Sequence, residues 1–265
     1  MNASGRFDYI IVGAGSAGAT IANRLTEDPD VSVLLLEAGG THKHWSVRIP
    51  GATVANMVLK ARNWGFETVP QEHMNDRQGY QPRGKMLGGS SGVNAMIYIR
   101  GNRYDYDNWA AMGADGWSYD EVLPYFKKSE HREAGGNDYH GEGGELNVAS
   151  VRSPAEINDI LVEAARSMQL PLNDDFNGES QEGIGLYEVT QKDGERWSTA
   201  RAFLDPIMDR PNLTIVQHAL TEKVLIEDGQ AVGVRYRITK GSKADKVTKD
   251  ASCTREVIVC GGAFG

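Results

Sequence analysis

The chain has 265 residues, a net charge of −8, 40% hydrophobic and 24% charged residues. That is enough for one large domain, or one and a half ordinary ones, with a sizeable core. The acidic balance and the lack of a long basic run argue against nucleic acid as a partner, and no apolar segment approaches the ~18 residues of a membrane-spanning helix.

In chain order, Tyr9-Ile10-Ile11-Val12 is a short continuous apolar run, as a strand buried on both faces requires. It runs into Gly13-Ala14-Gly15-Ser16-Ala17-Gly18, and a helix follows with Ala17, Ile21 and Leu25 on one face. "TEDPD" ends that helix, and Val31 to Leu36 is a second β-rich run ending at Glu37. The three pieces make a βαβ unit. Residues 39 to 63 are irregular, and a short strand is expected from Gly65 to Val69. Arg83 to Gly101 is glycine-rich and then apolar. Ser118 to Glu121 is a capping box that opens a helix to about Ser129, and Ser153 to Glu156 is a second, with Pro154 at the first helical position. Ile157, Ile160, Leu161, Ala164, Ala165 and Met168 give this second helix one apolar face. Short strands are expected at Leu186 to Thr190 and Leu213 to Val216. A hairpin follows, with Asp228-Gly229 in its turn and Val232, Val234, Tyr236 and Ile238 alternating. Val257 to Cys260 is a last buried strand. A buried strand that ends in Gly261-Gly262 should feed another element, so the sequence reads as the front part of a longer protein.

Gly13-x-Gly15-x-x-Gly18 after a strand and before a helix is the dinucleotide pattern. The first glycine permits the turn, the second lets backbone approach a pyrophosphate, and the third lets helix and strand pack closely. The helix N-terminus then faces the anion. Glu37, 24 residues after Gly13, stands where a carboxylate accepts hydrogen bonds from a ribose. The motif suits NAD or FAD. An NAD enzyme would continue with alternating strands and helices, whereas this chain runs to a second glycine-rich segment, which a flavin needs as a second wall.

That segment contains Gly88-Gly89-Ser90-Ser91-Gly92, which fits the G-x-S-x-G nucleophile elbow by letters. An elbow needs a buried strand just before it. The preceding "YQPRGKM" is not one, so Ser90 is expected to line a cofactor cradle rather than to attack a substrate. Among the six histidines, His42 and His44 form the only close pair, without a third ligand by spacing, and His140 reads as structural. No metal site and no catalytic base are expected within the chain. Cys253 and Cys260 have neither zinc nor redox spacing, and two cysteines suit a reducing compartment. A cytoplasmic location is expected, with peripheral attachment at the inner face of a membrane left open.

"GKMLGGSSGVNAMIYIRGNRYDYD", Gly84 to Asp107, resembles the first signature of the glucose–methanol–choline (GMC) flavin oxidoreductases. "FDYIIVGAGSAG", "LLLEAGG", "WGFETVPQ" and "REVIVCGGAFG" are similar to other landmarks of that family, so the resemblance runs along essentially the whole chain. It implies an α/β fold: a Rossmann-type FAD-binding domain, 1–150 and 210–265, with the start of an interleaved α+β substrate-binding domain at 151–209 and the C-terminal half of the family fold absent. It implies FAD, with Gly13, Gly15, Ser16, Ala17 and Gly18 at the pyrophosphate and Glu37 and Ala38 at the adenosine ribose. Trp64 would lie near the ribityl–phosphate arm. Gly84, Gly89, Ser90 and Asn94, Ala95, Met96 and Ile97 would wrap the pyrophosphate and the isoalloxazine edge, and Val224 would meet adenine through its backbone. Some members link FAD through a histidine just before the asparagine; Val93 stands there, so non-covalent FAD is expected. The implied activity is oxidation of a small-molecule alcohol to an aldehyde or ketone, with the histidine base on the missing C-terminal half, whether joined to this chain or supplied as a separate partner chain. An FAD-containing lyase and a non-catalytic FAD-binding fragment are the alternatives.

Overall fold

Strand β1, Arg6–Val12, carries Ile10 and Ile11 fully buried, and strand β2, Val33–Glu37, is buried along its whole length. Tyr9–Val12 and Val33–Leu36 within them are continuous apolar runs because a parallel strand is covered on two faces. Between them lies helix α1, Ser16–Leu25, which makes the connection a βαβ unit. The computed structural model describes residues 5–58, 60–240 and 247–265. The chain divides into two compact units, Met1–Ala95 with Ser198–Gly265, and Met96–Trp197.

In the first unit, six strands among the described residues form one sheet. Its order is Ala219–Glu227, Gln230–Ile238, Thr248–Val259, β1, β2, Leu213–Gln217. The last four pair in parallel and the first three form an antiparallel meander. The meander turns at Asp228-Gly229, both at positive φ (48° and 80°), the backbone that a two-residue hairpin loop demands. Ile10, Leu34, Leu36, Val216, Ala219, Val234, Tyr236 and Ala251 join in one apolar cluster. At ~25 cal/mol per Å² of apolar surface, burying such a sheet is the main stabilising term of this unit.

Helix α1 turns a different face to the sheet from the one expected. Gly18, Ala19, Ala22 and Asn23 are buried, whereas Ala17 is exposed and Ile21 and Leu25 are half-buried. The small residues win because α1 lies so close to β1 that a Cβ on Gly18 would stand 1.9 Å from the carbonyl oxygen of Gly13.

The second unit has little sheet among its described residues. Helix Arg103–Ala111 is capped by Asn102, and helix Tyr119–Ser129 by Glu121, whose carboxylate accepts the Ser118 N–H at 3.0 Å. The third helix, Glu156–Ser167, starts two residues later than the second capping box predicts: Ala155 is the N-cap, no side chain caps it, and Pro154 lies outside. Its apolar face is mostly exposed, with Ile157, Ile160, Leu161 and Met168 each more than half accessible. Leu186 to Thr190 forms isolated bridges at Val189 rather than a strand. Two two-stranded ladders, Glu130–Arg132 with Leu146–Val148 and Gln191–Lys192 with Glu195–Arg196, stand beside a buried ionic network. Arg100 and Glu130 pair at 3.0 Å with their side chains 2% and 0% exposed. Glu130 also accepts the Gly141 N–H at 2.7 Å and faces His140 Nδ1 at 3.0 Å.

The units divide at 95/96 and 197/198, not at 150 and 210. Residues 96–150 thus fall in the same unit as the segment expected to begin the substrate-binding domain, and 198–209 fall in the unit that holds the sheet.

Candidate functional site: a glycine-lined cradle at the carboxyl end of the parallel strands

The three glycines after β1 do three different jobs. Gly13 sits at φ +96°, and a Cβ there would meet the Cys260 carbonyl oxygen at 2.5 Å, so the turn threads beside the neighbouring strand's end. Gly18 permits the close approach of helix to strand. Around Gly15 a Cβ would meet nothing within 4 Å. This second glycine is therefore not required by packing; it leaves open space where the chain turns into α1. The helix N-terminus beside it has no side-chain cap and no acidic residue in its first turn, and Ser16 and Ala17 are exposed. An open helix N-terminus with free N–H groups is a place for an anion.

Two other segments close around this turn. Gly88 N–H donates to Ala14 O at 2.7 Å, and a Cβ on Gly89 would stand 2.8 Å from the Gly15 Cα. Leu87 N–H donates to Gly40 O at 3.0 Å, and Gly40 forms a parallel bridge with Met86. The stretches 13–18, 37–40 and 84–92, far apart in sequence, thus meet at the carboxyl ends of β1 and β2, the place where open α/β sheets bind ligands.

Glu37 holds the junction. One carboxylate oxygen accepts the Ala14 N–H at 3.0 Å and the other the Gly39 N–H at 2.7 Å. Burial pushes its carboxyl above the ordinary range; the two N–H donors and the Lys85 charge oppose that shift without cancelling it. Each oxygen keeps a further lone pair for a hydroxyl donor. Ala38 beside it is half-buried.

Gly89–Gly92 is a 3-10 turn, and the strand that precedes it, Tyr80–Gln81, has two residues and ends well before it. A nucleophile elbow has no frame here. Ser90 Oγ accepts the Gly84 N–H at 3.2 Å, and its own hydrogen has no partner among the described residues. Ser91, which the sequence did not single out, locks the turn: it donates to Gly88 O at 2.6 Å and accepts the Thr199 N–H at 3.0 Å. Asn94 N–H donates to Ser90 O at 2.9 Å, and Asn94 and Ala95 are exposed. Trp64 donates its backbone N–H to Arg83 O at 2.9 Å, stacks its ring on Phe66 at 5.7 Å and carries Lys85 Nζ 4.1 Å above that ring. Val224 is half-buried and pairs with Val234 in the hairpin. Met96 and Ile97 belong to the second unit, where Met96 is buried at φ +64° and Ile97 is half exposed, bridged to Val189.

His218 is a second residue that sequence reasoning missed. It follows Leu213–Gln217 at φ +57°, donates its N–H to Gly39 O at 2.8 Å, and lays its ring against Gly40. Burial, with Lys240 and Lys85 nearby, lowers its pKa, favouring the neutral ring. Only the position just after a strand parallel to β2 could have hinted at it. His42 and His44 serve local structure. His42 Nε2 lies 3.1 Å from Asp205, and His44 Nδ1 caps the Ser46 N–H at 3.2 Å. In the second unit, His140, Asp175 and Glu188 present ligand atoms within 4.8 Å of one another. The Arg132 guanidinium stands 2.8 Å from Glu188 and 3.7 Å from Asp175, so ion pairing accounts for that group.

Residues 7–265 match the GMC oxidoreductase family. The chain belongs to that family. It is 46% identical over 258 residues to an alcohol dehydrogenase (acceptor) of Pseudomonas putida, covering 97% of this chain and 46% of the relative. It is 50% identical over 264 residues to an oxygen-dependent choline dehydrogenase of Pectobacterium carotovorum, with the same coverages. Among solved structures, an FAD-dependent oxidoreductase from Chaetomium thermophilum superposes with a TM-score of 0.89 at 31% identity, over 98% of this chain and 46% of that one. Pyridoxine 4-oxidase from Mesorbium loti gives 0.86 at 32% identity, over 97% and 50%. The chain thus spans about half the length of the relatives it matches. No helix among the described residues is long and apolar enough to cross a membrane.

Proposed function

We propose that this chain carries the FAD-binding part of an enzyme that oxidises an alcohol to an aldehyde or ketone. The observation that carries the reading is the open space at Gly15, beside an uncapped helix N-terminus and walled by the second glycine-rich segment. Packing does not use that space, and an anionic pyrophosphate fits both its emptiness and its polarity. The residues present suit FAD. Ser16 and Ala17 would offer backbone N–H groups to the pyrophosphate, and the Ser90 hydroxyl would donate to it. Glu37 and Ala38 would hold the adenosine ribose, Trp64 would flank the ribityl–phosphate arm, and Val224 would meet adenine. Asn94, Ala95, Met96 and Ile97 would border the isoalloxazine. With Val93 at the position before the asparagine, attachment is non-covalent.

When bound, FAD supplies a hydride acceptor at flavin N5. The chain's own share is to bind and orient it. The base that takes the hydroxyl proton is assigned to polypeptide outside this chain, since His42 is engaged with Asp205, His44 with Ser46, and the His218 ring is laid against Gly40. A small-molecule alcohol is the substrate, and names of relatives make choline one candidate among alcohols.

The test joins this chain to the unmatched part of the Pseudomonas putida relative, loads FAD and adds alcohols without oxygen. Bleaching of the flavin absorbance with at least one alcohol is expected. A flavin-loaded protein that no alcohol bleaches would sink the oxidation reading, and a folded protein that takes up no flavin would sink the cofactor assignment.

A further inference from the structure

Thr199 stands at the start of the short helix Ala200–Leu204, where a threonine ordinarily caps the helix with its side chain. It does not cap this one. Its hydroxyl turns instead to Ser91 in the second glycine-rich segment, 108 residues earlier. Thr199 Oγ1 lies 2.8 Å from Ser91 Oγ and 3.3 Å from the Gly88 carbonyl oxygen, and Thr199 N–H donates to Ser91 Oγ at 3.0 Å. Ser91 Oγ in turn donates to Gly88 O at 2.6 Å. A hydroxyl has one proton and two lone pairs. With its proton on Gly88 O, Ser91 Oγ accepts from both Thr199 donors. The result is a relay from Thr199 through Ser91 to Gly88, and hydrogen bonds in such a chain strengthen one another.

The relay ends where the two glycine-rich segments meet. Gly88 N–H donates to Ala14 O at 2.7 Å, inside the first glycine turn, and a Cβ on Gly89 would stand 2.8 Å from the Gly15 Cα. The same short helix also grips α1, since the buried Asn23 Nδ2 donates to Phe203 O at 2.8 Å. Residues 199–203 therefore hold both sides of the open space at Gly15: α1, whose N-terminus borders it, and the Gly88-Gly89 backbone that walls it.

We propose that Thr199 and Ser91 are positioning residues for the pyrophosphate, which set the width of the gap between the two walls without touching the ligand. The proposal rests on the reading that the space at Gly15 takes the FAD pyrophosphate, and adds what fixes its width. The two serines of the turn then divide the work: Ser90 turns its hydroxyl to the ligand and Ser91 to the protein.

The test uses the chimera with the Pseudomonas putida part and two probes, FAD and ADP. Both carry adenosine and a pyrophosphate, and ADP lacks the flavin. Ser91→Ala removes the donor to Gly88 O and leaves the Thr199 N–H without its acceptor, so the Kd of both probes is expected to rise about tenfold. Thr199→Val removes one donor at nearly constant shape and should raise both about threefold. Thr199→Ser keeps the hydroxyl and should restore the parent affinity. In the flavin-free protein, hydrogen exchange across residues 84–93 should quicken with Ser91→Ala while β1 and β2 keep their rates. Parent affinity for both probes in Ser91→Ala overturns the proposal, even with a lowered melt, because the relay then serves stability alone. A loss for FAD without one for ADP also overturns it, since the effect then lies at the flavin. Where Ser91→Ala fails to fold, the Thr199 pair decides: equal affinities for Thr199→Val and Thr199→Ser overturn the proposal. A folded parent chimera that binds neither probe sinks the cofactor reading, and the proposal with it.

Discussion

The two units hold themselves together by different means. The first rests on an apolar parallel sheet, and its one buried carboxylate at the cradle, Glu37, is held by backbone N–H groups. The second has only two-stranded ladders among its described residues, Glu130–Arg132 with Leu146–Val148 and Gln191–Lys192 with Glu195–Arg196, and centres on Arg100, Glu130 and His140. A buried apolar sheet tolerates conservative change. A buried ion pair does not, because removing one partner leaves the other unpaired in low dielectric. Acid should also separate them. For Glu130, burial alone would raise the pKa, but the His140 and Gly141 hydrogen bonds and the Arg100 charge together bring it below the ordinary value. Glu37 moves the other way.

The largest effect is expected at Glu130. Glu130→Gln should cost about 3–5 kcal/mol in the second unit, read as a lower denaturant midpoint, because Arg100 loses its charged partner inside the protein. A loss below about 1 kcal/mol would show that the network is not what holds this unit.

The pH dependence sharpens the same contrast. A depressed carboxylate contributes stability above its unfolded pKa, and that stability is lost as pH falls through the folded one. The Glu130 contribution should therefore fade as pH drops below about 4.5. Glu37, raised in the fold, contributes more below that pH and loses its contribution as pH rises through its higher folded value. Peptide-level hydrogen exchange across this range should show the second unit opening first on acidification. Simultaneous opening of both would remove the distinction.

Within the first unit, Gly18→Ala and Gly15→Ala should part company. A Cβ on Gly18 collides with the Gly13 carbonyl, so a loss of about 1–3 kcal/mol in stability is expected. Gly15→Ala should leave stability within about 0.5–1 kcal/mol of the parent or raise it. It should still weaken FAD retention in the chimera by about tenfold, or ~1.4 kcal/mol. Unchanged retention would mean that the open space is not the pyrophosphate site. The smallest change is Ser90→Ala, which removes an acceptor from Gly84 N–H and a donor from the cradle. About 1 kcal/mol of flavin affinity should go with it. An esterase activity lost with Ser90 would contradict the cradle reading.

Much of the cradle was legible in sequence because its requirements are local. Gly13, Gly15 and Gly18 are spaced by a turn and a helix start, and Glu37 is placed by the length of one βαβ unit. Ser91 and His218 were not legible. Ser91 matters through Thr199, more than a hundred residues away, and His218 through the carbonyl of Gly39. The third helix was found from its periodicity, but its start was misplaced because Ser153-Pro154-Ala155-Glu156 has the letters of a capping box without its hydrogen bonds.

By itself the sequence determined the βαβ start, the glycine turn, the hairpin and the kinship with a flavin oxidoreductase family, since each follows from short-range periodicity, turn chemistry or matching letters. Only the tertiary structure decided where the units divide, which face α1 buries, and that Thr199 meets Ser91 and Gly88. Those depend on which distant segments come within contact, and backbone approaches such as Gly18 to Gly13 or Gly89 to Gly15 leave no mark in local sequence beyond a glycine.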